Sequence, residues 1–357
     1  MYLTPADNYE TAWAELNTHL DNCMQSQGSL TAALLELETH QKRTGFIKDD
    51  LKDVTRVNYV HPEHPFCYLH AQYNPKRALR FNGSGISLPP EGMPSVNNGC
   101  FLCRENIQWQ QQGKEIGYAI EVKDSHYYVW MNPFPLLPCH VVVSAREHIS
   151  QEWDLHPAGT LSLERLIGDL VALAKQLPGF IGFYNGINAG ASIPGHMHYQ
   201  FCMRPEENVH FPLEQTERDY TEFDHTGIVR GYPLAVAVWQ GSPGEVVGHA
   251  VDWVRFWAAH NATHIEHLTA NFIATADPET GEVSLYFAPR DRNRSKSERM
   301  SGLVGGLEVM GELVFSSDGE RAAMDQGRVN CRELMKIYED IYTPFFIDSS
   351  TRLNEES

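Results

Sequence analysis

The sequence predicts an α+β fold built on largely antiparallel sheets, and three observations lead there. Strand-like and helix-like segments mix without the regular strand–helix–strand alternation of a parallel sheet. Prolines and glycines punctuate the links between them. The chain has 357 residues, 42% of them hydrophobic, enough for one large core or two ordinary domains.

Taken in order, residues 1–60 read as a helical N-terminal extension, with helices near Tyr9–Met24 and Leu30–Lys42. A loop rich in Gly, Pro and Asn, residues 82–99, leads to the pair Cys100 and Cys103. Strands follow at Tyr118–Val122, His126–Trp130 and His140–Ala145, the last β-branched in its middle, with Pro133, Pro135 and Pro138 between the second and third. Ser162–Leu177 carries Leu163, Leu166, Ile167, Leu170 and Ala174 at helical spacing, and Pro178-Gly179 stops it. Phe180–Tyr184 and His198–Met203 read as strands around the Gly-rich loop Asn185–Gly195. The acidic, turn-rich stretch 205–225 marks a junction, giving one half over 61–225 and another over 226–357. In the second half we expect a strand at Pro233–Trp239, a helix at Glu245–His260 and a hairpin of His267–Thr275 with Val283–Phe287. A strand at Leu307–Phe315 and a closing helix at Arg321–Tyr342 complete it. Trp253 and Trp257, four apart on one helix face, read as core.

A formal net charge of −18 argues against a general nucleic-acid surface, which relies on Lys and Arg to neutralise phosphates. It leaves room for a small phosphorylated substrate held by a local cluster of donors. No run approaches the ~20 apolar residues of a membrane helix, and the N-terminal residues lack the features of a secretory signal. A cytoplasmic protein is the expectation. Seven cysteines, an odd and scattered set, point to reduced thiols and not to a disulfide framework.

The chemistry concentrates in Ala189–Gln200. His196, His198 and Gln200 stand at alternate positions, so in a strand they share one face at steps of about 6.7 Å. A neutral imidazole is a nucleophile through one nitrogen when the other donates its proton to a carbonyl. Aimed at a nucleotide α-phosphate, His198 would form a phosphoramidate. The non-bridging oxygens then need donors, for which Gln200, Asn185, Asn188, Ser192 and the backbone amides of Gly190 and Ala191 are candidates. Cys100 and Cys103 have the spacing of a metal knuckle. His148 and His196 are candidates to complete a structural site of two Cys and two His, with His140 a competing ligand ranked below His148. Arg290, Arg292 and Arg294 form the most basic run after the nucleophile, either a phosphate receptor or a solvated loop. His260, His264 and His267 read as solvated.

These residues resemble the transferase branch of the histidine triad superfamily, which includes galactose-1-phosphate uridylyltransferase, diadenosine tetraphosphate phosphorylase and the GDP-hexose phosphorylases. Cys100-Phe-Leu-Cys103 is similar to the uridylyltransferase zinc knuckle, and His140–Ile149 to the strand-then-histidine segment. Met131–Pro138 is similar to the nucleoside-side segment. Tyr184–Gln200 is similar to the active-site loop that ends in His-x-His-x-Gln, although Gly195 stands where the family often has Pro, and Ser192 is displaced by one position. Leu285–Arg294 and Gly305–Gly311 are similar to the second half of the GDP-hexose phosphorylases.

The resemblance implies two related halves, of which the first alone keeps the histidine motif. It further implies structural zinc on Cys100, Cys103, His148 and His196, His198 as nucleophile, Gln200 as phosphate donor and Asn185 on the α-phosphate. The expected function is a nucleotidyltransferase or phosphorylase acting on a nucleotide sugar or dinucleoside polyphosphate, with phosphate or a sugar 1-phosphate as acceptor, in a chain able to pair as a homodimer. A histidine triad hydrolase and a non-catalytic, zinc-stabilised nucleotide-binding protein are the alternatives. Gln200, an amide that does not titrate, favours transfer over hydrolysis.

Overall fold

The computed structural model describes residues 8–62, 68–82, 88, 89, 91–93, 95–205, 210–220 and 225–347. Much of the loop 82–99 and of the junction 205–225 lies outside the described residues, as does Cys67. All six described cysteines are free thiols.

Ten strands form one sheet. From the first half come β3 (Tyr118–Val122), β4 (Ser125–Met131), β5 (Val141–Ala145), β6 (Phe180–Asn185) and β7 (His198–Met203). From the second come β8 (Arg218–Tyr220), β9 (Gly227–Val229), β10 (Ala237–Gly241), β11 (Leu268–Ala276) and β12 (Val283–Asp291). Their spatial order is β3-β4-β5-β7-β6-β11-β12-β10-β9-β8, with every pairing antiparallel. The order reads the same from either edge. In each half three strands precede a helix, α4 (Leu163–Gln176) or α5 (Pro243–His260), and two strands follow it. The halves meet where β6 pairs β11, Asn185 lying opposite Asn271. The fold is thus α+β, with two like halves fused edge to edge.

Burial explains the local choices. Ser162 caps α4 by accepting from the Arg165 amide at 3.2 Å, and the apolar stripe Leu163, Leu166, Ile167, Leu170 and Ala174 is fully buried. The β11–β12 turn is set by Asp277, whose carboxylate accepts from the Glu279 and Thr280 amides. Trp253 and Trp257 of α5 are buried against Phe287, as expected of core residues.

One face of the sheet carries α4 and α5, together with α1 (Tyr9–Gln27) and α2 (Leu30–Arg43) near the β3 end, and α3 (Arg104–Gln110) adds Ile107 to the same core. On the other lies a three-stranded sheet of β1 (Thr55–Val60), β2 (Tyr68–Tyr73) and β13 (Glu312–Phe315), with β13 parallel to β2.

Three sequence readings need correction. The N-terminal sixty residues are helical only to Arg43, since Thr55–Val60 pairs as β1. The strand expected over Leu307–Phe315 is a short helix, α6 (Gly306–Val309), followed by β13; Gly311, at φ 100°, makes the turn between them. The closing helix is two helices, α7 (Asp318–Asp325) and α8 (Cys331–Ile341). Gly327 at φ 66° ends the first, and Asn330 caps the second by accepting from the Glu333 amide.

Candidate active site

A cavity of about 390 Å³ opens on the face of the sheet that carries His198 and Gln200. Register explains its floor. Trp130 is paired with Val142, Val142 with Gln200, and Gln200 with Phe183, so four neighbouring strands send one row of side chains into the same space. Asn185, Gly190, Ser192 and His198 line one end, with Gly305 and Gly306 from the second half. Phe101, Leu102, Trp130 and the segment Asn132–Phe134 line the other.

His198 is nearly inaccessible at 3% exposure. Its Nδ1 is 2.8 Å from the His196 carbonyl, which can only accept, so Nδ1 carries the proton and Nε2 keeps its lone pair. Burial pushes its pKa down to about 4, so at neutral pH the ring is uncharged. Gln151 holds the strand end: its Oε1 accepts from the His198 amide at 2.8 Å, and its Nε2 donates to the Asn185 and His198 carbonyls at 3.0 Å each. The sequence gives no pattern that singles out Gln151, because its role is to tie two strand ends across the Gly-rich loop.

Two amides flank the imidazole with fixed polarity. The Leu136 amide donates to His140 Nδ1 at 3.1 Å, so the proton of this neutral ring sits on Nε2. His140 Nε2 therefore donates to Gln200 Oε1 at 2.9 Å, which turns the Gln200 NH₂ group away from His140. Burial first, then nearby Arg77, pushes the His140 pKa down to about 3, so this polarity holds at any working pH. Asn185 is treated alike. Its Oδ1 accepts from Asn271 Nδ2 and the Gly306 amide, both at 2.8 Å, and its NH₂ has no acceptor among the described residues. His140, ranked in the sequence as a competing metal ligand, instead orients Gln200.

The close approach of the halves explains the glycines. A Cβ on Gly190, at φ 98°, would lie 2.5 Å from Gly305 Cα, and one on Gly305 would lie 2.9 Å from Asn185 Nδ2. The segment 304–306 is held in turn by Arg290. That side chain is fully buried, donating to Asn271 Oδ1 at 2.7 Å and the Val304 carbonyl at 2.9 Å. Arg292 pairs with Glu152 at 2.7 Å, and Arg294 donates to carbonyls at the end of α8. None of the three arginines lines the cavity, and neither does exposed Asn188. The cation that does is Arg77, which donates to the Phe134 carbonyl at 2.5 Å.

Cys100, Cys103, His148 and His196 offer ligand atoms all within 4.8 Å of one another, a set able to hold one metal ion. His196 Nε2 donates to the Ala145 carbonyl at 2.7 Å, which leaves Nδ1 as its ligand atom. Asn97 Nδ2 donates to Cys103 Sγ and the Leu102 amide to Cys100 Sγ. Cys100 is held well below the ordinary thiol range, first by the hydrogen bond from Cys103 and then by His196. His260, His264 and His267 lie apart from this cluster.

Substituting His140 with phenylalanine tests the polarity argument. The ring volume stays, but Gln200 is free to rotate. We expect kcat to fall about tenfold with little change in KM, because a donor aimed at developing charge acts in the transition state. Steady-state kinetics would read this, and a rise in KM alone would contradict it.

A family model described as a domain of unknown function, DUF4922, matches residues 37–203. No curated protein matches the sequence. Among solved structures, yeast Ap4A phosphorylase Apa2 in complex with Ap4A is similar with a TM-score of 0.56 at 14% identity, over 87% of this chain and 98% of that one. The same enzyme in complex with AMP gives 0.51 at 15% identity, over 86% and 96%. An ADP-glucose phosphorylase from Arabidopsis thaliana gives only 0.35 at 16% identity, over 80% and 98%. The chain thus shares the fold of the yeast Ap4A phosphorylase structures.

Proposed function

We propose that the protein is a nucleotidyltransferase or phosphorylase working through a nucleotidyl-histidine on His198. His198 Nε2 attacks the α-phosphorus of a nucleotide sugar or dinucleoside polyphosphate. A P–N bond forms, and the P–O bond to the departing sugar 1-phosphate or nucleotide breaks. An oxygen of phosphate or of another sugar 1-phosphate then attacks phosphorus, the P–N bond breaks, and the imidazole is regenerated. Gln200 and Asn185 donate to the non-bridging oxygens, where charge builds. Gly190 and Ser192 lie beside them. Arg290 and Arg292 act at one remove, through the segment 304–306 and Glu152. The observation that carries this reading is the buried His198 with its Nδ1 proton tied to a carbonyl and two oriented amides at its side.

Zinc suits the ligand cluster. Zn–S near 2.3 Å and Zn–N near 2.0 Å imply an S–N edge of about 3.5 Å in a tetrahedron. The Cys100–His196, Cys103–His148 and Cys103–His196 edges are 3.4, 3.4 and 3.6 Å. With all four positions filled by protein, such a zinc is structural. It braces the loop on which His196 and His198 sit.

The direct test is intact mass after mixing the protein with a panel of nucleotide sugars and dinucleoside polyphosphates, without acceptor. A gain of one nucleoside monophosphate, discharged by added phosphate or sugar 1-phosphate, is expected. Rapid turnover in water with no effect of either acceptor would instead indicate a hydrolase.

A further inference from the structure

The three-stranded sheet is the part of the fold to which this chemistry gives no task. It encloses a charge: Glu312 of β13 is fully buried. Burial works to raise the pKa of that carboxyl, but contacts from His70, Arg56 and Gln72 outweigh it and hold it below the ordinary carboxylate range. A buried ion is costly even when well paired, and an apolar residue would fill the same space at lower cost in free energy.

A carboxylate has a property that the amides around it lack, since it can only accept. Gln72 Nε2 lies 2.6 Å from Glu312 Oε1, so the NH₂ group of Gln72 faces the carboxylate and its Oε1 faces away. That oxygen accepts from Asn74 Nδ2 at 3.3 Å, and the same nitrogen donates to the Pro135 carbonyl at 3.0 Å. An amide in isolation has two orientations of equal shape; beside Glu312 each of these has one. Gln72 and Asn74 are fully buried, which shields the bonds from solvent. The backbone amide of Asn74 is fixed as well, donating to the Phe315 carbonyl of β13 at 2.8 Å.

The Pro135 carbonyl belongs to the same peptide unit as the Leu136 amide, and in a trans unit the two groups point to opposite sides. One side meets Asn74. The other meets His140 Nδ1, and His140 Nε2 donates in turn to Gln200 Oε1. Donation to the carbonyl polarises the unit and strengthens its N–H as a donor. A continuous run of hydrogen bonds therefore joins Glu312 in the second half of the sequence to Gln200 in the first. Arg77, three residues beyond Asn74, holds the preceding carbonyl, that of Phe134, so the end of β2 fastens two successive carbonyls of this proline-rich link.

We propose that the three-stranded sheet is a positioning device for the transfer step and that Asn74 is the residue through which it acts. Glu312 sets the polarity of Gln72 and Asn74, Asn74 fixes the Pro135–Leu136 peptide, and that peptide, through His140, keeps the NH₂ group of Gln200 aimed at the phosphate. Asn74 does not line the cavity, so it is a positioning residue and not a catalytic one. Its effect on rate rests on the nucleotidyl-transfer reading of the cavity, whereas its effect on geometry does not.

Hydrogen exchange and ¹⁵N spectra of the histidine rings, taken on the full chain without substrate, read the geometry. In the wild type the Leu136 amide should exchange as slowly as the amides of β5, and the His140 proton should sit on Nε2. Asn74→Leu keeps the volume and removes both donors. It should speed exchange at Leu136 about tenfold while β5 is unchanged, and lower kcat about fivefold with little change in KM. In a His140→Phe background the same substitution should lower kcat no further, because both act on Gln200 by one route. Asn74→Ser, which keeps one donor, should recover part of the loss, and it takes the place of the leucine variant if that does not fold. A fast-exchanging Leu136 in the wild type would overturn the assignment. So would wild-type exchange and kcat in folded Asn74→Leu, or in Asn74→Ser where the leucine variant is unfolded, and so would losses that add in the double variant. Turnover of no nucleotide by the wild type would end the transfer reading and the rate effect with it, while the exchange and ring spectra still decide the geometry.

Discussion

Replacing His198 with alanine should abolish the nucleotidyl adduct and lower turnover by about 10³-fold or more, the scale of losing a covalent nucleophile while binding groups remain. The variant should fold, because among the described residues the ring's one hydrogen bond is to the carbonyl of His196, just before its own strand. Nucleotide affinity should change little, since Gln200 and Asn185 keep their orientation through His140 and Asn271. The pH dependence follows from the same burial. The attacking form is neutral, and the ring protonates only near pH 4, so acidification from pH 8 to pH 5.5 should not shut off the first half-reaction through this group. Adduct mass and single-turnover rates across that range check both points. Full adduct on His198→Ala would sink the assignment.

The second large effect concerns the metal. Zinc-supplied protein should carry about one ion per chain, and Cys103→Ala should carry almost none. Loss of a structural zinc removes binding energy that is also folding energy. Even a net loss of about 5 kcal/mol would lower the melting temperature by roughly 7 °C in a chain of this size. Activity should fall together with stability, because His196 is both a candidate ligand and the residue whose carbonyl fixes the His198 tautomer. Elemental analysis and thermal melts before and after chelation measure this. A chain free of zinc after growth with zinc, and unmoved by chelators, would refute it.

Much of the fold is written locally in the chain. The stripe on α4, its Ser162 cap and the Pro178-Gly179 stop suffice to predict that helix, and alternate spacing suffices to put His198 and Gln200 on one face. The Cys and His pairs are legible as residue types, but their meeting depends on strands and loops far apart in sequence. The misreadings have a common cause. Leu307–Phe315 is apolar in either conformation, and only packing of Gly306 against Phe183 and the turn at Gly311 decide for a helix before a strand. The run Arg290–Arg294 reads as solvated or phosphate-binding, whereas tertiary contacts bury Arg290 beneath the loop it supports. Gln151 and Asn271 carry no motif. Each matters through what it faces, which no spacing rule reports.

The seam where β6 pairs β11 has a practical corollary. Severing the polypeptide within residues 205–225 would leave each fragment with a long, flat, apolar border of unsatisfied amides and carbonyls, the template on which chains aggregate. The two pieces should therefore precipitate when made singly and regain solubility only when co-expressed, and the intact molecule should melt in one transition.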